Sequence, residues 1–391
     1  MKIGIAGPAS LGLLAKRVNN GEQMPSGYLF APMAAWIEAL LGQDHQVSLF
    51  TLAPGITIPQ TFKGEQLTIH VGRYRNKHRA RDFFRQEQQD LLKAIQENPV
   101  DIIHAHWTYE FALASLKSGM PTLVTAHDAP LTILKIYKNG YRFIRFLMAW
   151  QVCQHAQVMT AVSPYLEKHF RQVFRFKSPI HIIPNGVPDF VFELAHSKKK
   201  CLKNNNKIIF ASNLTGWTDL KNGKTLIQAF NQVCLKNPKC ELWMYGTGYG
   251  NGEAAQIWAA QALLAKNIQF RGQTPYHGLL SDLAENVDVL VHPSLEESFS
   301  MAIAEAMALG IPVIGGKNSG AVPDTMGESG MLIDIKSSDA LENAMLTLAD
   351  NPNLRSLLGE KGKGKAVKSY TNREITLQYE TIYKQVGNSG E

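Results

Sequence analysis

Two glutamates eight residues apart, Glu297 and Glu305, lie in the segment VDVLVHPSLEESFSMAIAEAMALGIPVIGG, residues 287–316. An ionised carboxylate readily accepts hydrogen bonds from paired hydroxyls. Two of them, separated by a loop and about a turn and a half of helix, can hold two sugar rings such as a ribose and a hexose. Between them the main-chain amides of Phe299, Ser300 and Met301 fall at a helix N-terminus, where unpaired N–H groups favour a diphosphate. The competing reading is a surface helix with ordinary acids; Glu296 beside them reads as solvated.

The elements that position these groups are legible in the same segment. Val287–Val291 reads as a buried strand and His292–Ser298 as its loop, with Ser298 or Ser300 available to cap the next helix. Phe299–Leu309 is rich in Ala and Met, strong helix formers. Gly310 supplies a left-handed stop and Pro312 follows two residues beyond. Elsewhere, strands are expected at Lys2–Ala6, Val47–Leu52, Asp101–Ala105, Thr122–Ala126 and Val158–Val162. A second series falls at Lys207–Ala211, Glu241–Tyr245, Ile268–Arg271, Val287–Val291 and Pro312–Gly315. Helical stretches such as Leu226–Cys234 and Ala254–Leu264 lie between them. This alternation implies parallel sheets with crossover helices, twice over: an α/β chain of two Rossmann-like domains facing each other across a cleft. Ligands of such sheets bind in the loops after the strands.

The expected division is residues 1–190, a polar linker at 191–206 within Phe190–Lys207 (HSKKKCLKNNNK), and a second domain at 207–371. The amphipathic segment 372–391 is expected to pack back on the first domain. The length of 391 residues fits two domains. Composition (45% hydrophobic, 19% charged) is that of a soluble globular chain, and no apolar run reaches the ~20 residues that span a bilayer. MKIGIAGPASLG reads as strand and turn rather than a signal peptide. The four cysteines form no C-x-x-C pair and fit a reducing cytoplasm. Residues 1–190 hold 20 Lys+Arg against 13 Asp+Glu, and residues 191–391 hold 20 against 20. The whole net charge of +7 therefore sits in the first half, where an acidic partner would dock.

The run P-S-x-x-E-S-F-S-M-x-x-A-E-A-M-A-x-G-x-P-V-I resembles the signature of the family 4 retaining glycosyltransferases, which have the two-domain GT-B fold. VTAHD at 124–128, IPNGVPDFVF at 183–192, GTGYGNG at 246–252 and FRG at 270–272 extend the resemblance over most of the chain. It implies that Glu297 contacts a donor sugar and Glu305 the ribose hydroxyls of a nucleotide-diphosphate sugar. Gly246, Gly248 and Gly272 join the donor side. Lys221, in LKNGKTLIQAF, is similar to the family's lysine that neutralises the diphosphate; a solvated lysine is the alternative. The family places an arginine a few residues earlier, where this chain has ASNLTGWTD. Asn213 occupies that stretch, and a neutral amide cannot replace a guanidinium's charge.

His127, after the strand Thr122–Ala126, resembles the family's active-site histidine, which touches donor sugar or phosphate from the other domain. Gly12, Gly27 and His106 are expected on the acceptor side. His104, His106 and His127 do not complete a metal-ligand set, and the sequence has no Asp-x-Asp, so neither metal nor cofactor is expected. Residues 73–85 and 131–150 interleave Arg and Lys with aromatics, which suits an anionic membrane surface and a lipid-linked or polysaccharide acceptor; an ordinary domain helix is the equal alternative. No nucleic-acid motif accompanies these charges. The expected activity is metal-independent sugar transfer with retention by a cytoplasmic, peripheral enzyme. The rivals are a non-catalytic nucleotide-sugar-binding scaffold of the same fold, an epimerase or phosphorylase sharing it, and, against both glycine loops, a nicotinamide oxidoreductase.

Overall fold

The computed structural model describes residues 1–28, 30–197 and 207–387. The chain forms two compact units, Met1–Gly186 with the C-terminal segment from Asn372, and Val187–Thr371.

The first unit is built on an eight-stranded sheet. Its strands are β1 Lys2–Ala6, β2 Gln46–Pro54, β3 Gln60–Lys63, β4 Leu67–Tyr74, β5 Ile102–His106, β6 Thr122–Ala126, β7 Met159–Ala161 and β8 Ile180–Ile182. Their order is β3-β4-β2-β1-β5-β6-β7-β8. All neighbours are parallel except β3 against β4. From β1 the chain builds outward first through β2 and then, on the other side, from β5. The crevice between β1 and β5 is therefore a topological switch point. Helix Asn372–Gly387 buries Ile375, Tyr379, Ile382 and Tyr383 in this unit's core, beside Ile3, Ile5 and Ile37.

The second unit has a six-stranded, all-parallel sheet. Its strands are β9 Ile208–Asn213, β10 Cys240–Tyr245, β11 Ile268–Gly272, β12 Val289–His292, β13 Val313–Gly316 and β14 Gly330–Ile333, in the order β11-β10-β9-β12-β13-β14. Here the switch lies between β9 and β12, where Leu290 pairs with Ala211. The loops after these two strands carry Lys221 and Glu297, so the strand order makes these residues neighbours.

Several expectations are corrected. Residues 191–197 are not linker: helix Asp189–Ser197 buries Val191 and Phe192, and residues 198–206, with Cys201, lie outside the described residues. The helix expected from Phe299 begins at Met301. Ser300 precedes it with φ 72° and makes no side-chain cap; its hydroxyl lies 3.3 Å from His292 Nε2 instead. β12 starts at Val289 because Val287 caps the preceding helix. The basic surface is smaller than expected. Arg73 is bound by Asp90 at 2.6 Å, and Arg75 by Glu87 and Asp82 at 2.6 and 2.8 Å. Arg79 and Arg145 turn onto the rings of Tyr74 and Tyr109. Lys77, Arg81, Arg85, Lys135 and Lys138 stay exposed. No helix among the described residues is long and apolar enough to cross a membrane.

Candidate active site

In the second unit the chemistry gathers at the carboxyl ends of β9, β12 and β13. Lys221 Nζ lies 2.6 Å from Glu297 Oε1, and His292 Nε2 lies 3.2 Å from the same oxygen. The main chain fixes this group from two sides. Leu295 N–H donates to Leu220 C=O at 2.9 Å, tying the β12 loop to the segment of Lys221. Ala321 N–H donates to Glu297 C=O at 2.8 Å. That second bond requires Gly320, which has φ 58°; a Cβ there would lie 2.3 Å from the Glu297 carbonyl oxygen. Burial pushes the Glu297 carboxyl up, but the His292 hydrogen bond and the Lys221 charge outweigh it. They hold the group well below the ordinary carboxylate range. Glu297 is therefore an ionised acid already spending one oxygen on a cation.

Glu305 has the opposite environment. It is buried on helix Met301–Ala308, and among the described residues its carboxyl is met by Tyr276, whose hydroxyl donates to Oε1 at 2.7 Å. Burial pushes its carboxyl up to about 7, with the Tyr276 bond pulling the other way. The two acids thus differ in protonation near neutral pH. Ahead of this helix the amides of Phe299, Ser300 and Met301 have no acceptor among the described residues. The loop's shape is held by Thr325, whose hydroxyl donates to Phe299 C=O at 2.5 Å, and by Phe299 packing edge-on against Tyr370.

A stability consequence follows from Glu305. Its folded-state value of about 7 lies above an ordinary unfolded glutamate near ~4.3. The protonated acid thus stabilises the fold fully below the unfolded value, and that contribution is lost as pH rises through about 7. Glu305→Gln should melt like wild type at pH 4 and be more stable at pH 8, by about 3 kcal/mol. Melting curves across this range check it; parallel curves contradict it.

The glycine loops are less available than expected. Gly248 and Gly250 N–H both donate to Glu253 Oε2 at 2.7 Å, so the protein's own carboxylate fills the turn after β10. Gly246 closes on Leu214 C=O and Gly272 on Gly250. Asn213 ends β9, and beyond it Trp217 packs against Tyr249 and Trp258. Lys221 is the cation that the structure places against Glu297 in this loop cluster, and the stretch after β9 supplies no guanidinium.

In the first unit His106 and His127 end or follow β5 and β6. His106 Nδ1 lies 2.8 Å from His127 Nε2. His104 stacks on His106 at 4.2 Å and is bonded to Tyr383 and Thr125. Burial holds all three imidazoles low, His127 at about 4. They are neutral at pH 7 and act as hydrogen-bonding groups, not countercharges. With Nε2 engaged by His106, His127 has Nδ1 left for a ligand. Both rings line a small pocket of 40 Å³ with Met33, Trp36 and Asn185. His106→Leu should lower turnover about tenfold by releasing this ring. His106→Asn, which keeps an amide beside His127, should recover most of it; equal losses in both would remove the orienting role. Gly27 has φ 68° and a Cβ there would lie 2.5 Å from Ala9 C=O, so its own loop requires it; Gly12 faces open space. The larger groove of 670 Å³ lies at the amino ends of β6–β8 and holds none of these residues.

Reading the sequence missed His292 and Tyr276. His292 stood in the quoted segment at the strand's end and could have been found there. Tyr276 reaches Glu305 from 29 positions away and has no local signal. Among the described residues no group of three or more His, Cys, Asp or Glu could hold a metal ion.

Residues 192–365 match the family Glycosyl transferases group 1, and residues 33–189 match Glycosyltransferase Family 4. The MMP alpha-(1->4)-mannosyltransferase of Mycolicibacterium hassiacum is 30% identical over 303 residues, covering 73% of this chain and 70% of its own. Sucrose-phosphate synthase from Thermosynechococcus elongatus superposes with a TM-score of 0.78 over 100% of both chains at 18% identity. Anabaena Alr3699/HepE in complex with UDP-glucose gives 0.67 over 98% of this chain and 100% of its own at 17% identity. The chain belongs to the group 1 glycosyltransferases of the family 4 type and has their GT-B fold.

Proposed function

We propose that the protein transfers a sugar from a nucleotide-diphosphate sugar, with retention and without a metal, to a hydroxyl of a saccharide or lipid-linked acceptor. The observation that carries this reading is the Lys221–Glu297–His292 cluster beside a helix mouth with unpaired amides. A diphosphate entering there meets one cation and three N–H donors. As the bond from the anomeric carbon to the phosphate oxygen breaks, the electron pair stays on the diphosphate. Fixed donors aimed at that growing charge are the largest source of acceleration in such a step. The acceptor hydroxyl attacks from the same face and its proton passes to the departing phosphate oxygen, so configuration is retained. Glu297 accepts from donor-sugar hydroxyls and Glu305 from the ribose pair. On the resemblance, His127 contributes Nδ1 to donor sugar or phosphate.

UDP-glucose in the HepE structure and the alpha linkage in the mannosyltransferase's name support a nucleoside diphosphate donor and retention. The test is release of nucleoside diphosphate from a panel of nucleotide sugars, in the presence and absence of EDTA, by wild type and Glu297→Ala. Release by wild type alone, unaffected by EDTA, supports the reading. Binding without release in either protein makes the chain a non-catalytic scaffold, the alternative that the missing arginine favours.

The reading extends to a peripheral place on the cytoplasmic side of a membrane. Ile136, Tyr137, Phe143 and Trp150 are exposed on helices Pro130–Tyr137 and Gly140–His155, beside exposed Lys135 and Lys138. Vesicles with anionic lipid should bind the protein, and salt should release it; binding that ignores lipid charge ends this part of the proposal.

A further inference from the structure

At the carboxyl edge of the first unit's sheet lies a buried polar cluster that none of the roles above uses. Glu110 opens the helix after β5 and is fully buried, yet among the described residues neither carboxylate oxygen has a partner. Arg145 is buried with its guanidinium 3.5 Å over the Tyr109 ring, and its Nε has no partner among the described residues. Arg79, half-buried, leaves Nη1 without a partner among them. One hydroxyl, that of Tyr141, accepts from both guanidinium groups, at 3.0 Å from Arg79 and 3.1 Å from Arg145. Tyr28, Tyr74 and Trp107 form the half-buried aromatic rim, with Tyr28 edge-on to Tyr74 at 5.1 Å and to Trp107 at 5.9 Å. Trp107 itself is held at φ 67°, a conformation costly for a bulky residue. Buried donors and acceptors left open together are expensive, and here they converge from the ends of β4, β5 and a neighbouring helix.

We propose that this cluster is the acceptor subsite and that it takes an uncharged saccharide ring. The proposal rests on the glycosyltransferase reading and deepens it. Two guanidiniums face two carboxylates, Glu110 and Asp128, and Asp128 already receives the Tyr109 hydroxyl at 2.7 Å. The cluster is therefore neutral as a whole. A phosphate would satisfy the arginines but press its charge against Glu110, whose two oxygens can only accept. Sugar hydroxyls donate and accept at once, so one ring can serve Glu110, Arg145 Nε and Arg79 Nη1 together while its C–H face lies on the aromatic rim. The floor is closed to solvent, so a saccharide reaches it by displacing a rim side chain.

The test is a titration of methyl glucoside, methyl mannoside and maltose, with glucose 6-phosphate and mannose 6-phosphate alongside, against wild type, Glu110→Gln and Tyr28→Leu. Nucleoside diphosphate binding is measured in parallel. At least one neutral saccharide should bind wild type, and both variants should weaken it tenfold or more while nucleotide affinity stays within twofold. Tyr28→Leu lies on the rim and keeps the test valid if Glu110→Gln fails to fold. Sugar phosphates binding tenfold tighter than their neutral parents would overturn the proposal. So would neutral saccharides that bind wild type and both variants alike, or none that binds at all. Failure of every nucleoside diphosphate to bind is a different result: it removes the donor reading itself.

Discussion

Replacing Lys221 with methionine is expected to slow sugar transfer by about 10²–10³-fold, the usual cost of losing one fixed donor to a developing oxyanion. Lys221 is positioned by the short helical turn Asp219–Lys221 and by Asn222, whose φ of 55° starts the next helix. The side chain is half-buried and lies at a switch point, with no arginine after β9 to share its work. Methionine keeps the stem and the packing but leaves the Glu297 carboxylate with His292 alone, so the melting temperature should fall as well. Arginine is a poor substitute because its planar fork cannot reproduce a point charge in the same space. Product release from a nucleotide sugar, followed in single turnover, separates this loss from slower binding. A methionine variant within threefold of wild type would mean that the charge is structural.

Glu297→Gln should divide binding from chemistry. Lys221 is held by Glu297 at 2.6 Å, so an incoming diphosphate competes with a carboxylate for its cation. Removing that negative charge frees Lys221, and nucleoside diphosphate should bind two- to tenfold more tightly. Transfer should nevertheless fall about a hundredfold, because the donor sugar loses a charged hydrogen-bond acceptor in the step that counts. Lower affinity for the diphosphate together with lower transfer would contradict the competition. The double variant with Lys221→Met should show strong non-additivity, as expected for two groups in direct contact.

Much of this was legible in the residues, and the limits have physical causes. The strands Lys2–Ala6 and Thr122–Ala126 fall where their unbroken apolar runs suggest, since both faces are buried. β4 was missed although Leu67, Ile69 and Val71 alternate correctly for a strand and are all buried; His70 and the following arginines hid the pattern. β14, at the sheet's edge, buries none of its four residues and carries almost no signal. The pairing of Glu297 with Lys221 spans 76 positions and follows from strand order, which a single sequence does not state. The contrast between an ionised Glu297 and a partly protonated Glu305 was likewise invisible, because it depends on His292 and Lys221 at one acid and on burial at the other. The basic stretches meet a related limit. Charge is visible in a sequence, but which carboxylate or ring it meets in the fold is not, as with Arg73 on Asp90 and Arg145 over Tyr109.

The most direct test of the donor site is a thermal-shift titration of nucleoside diphosphates and their sugars against wild type, Lys221→Met and Glu305→Ala. A ligand at about 100 times its dissociation constant adds about 2.7 kcal/mol of stability, several degrees of melting temperature. The account predicts that at least one nucleoside diphosphate produces this shift in wild type and that both variants reduce or abolish it. It is contradicted if no nucleoside diphosphate or nucleotide sugar shifts the wild-type protein, or if Lys221→Met and Glu305→Ala respond as wild type does.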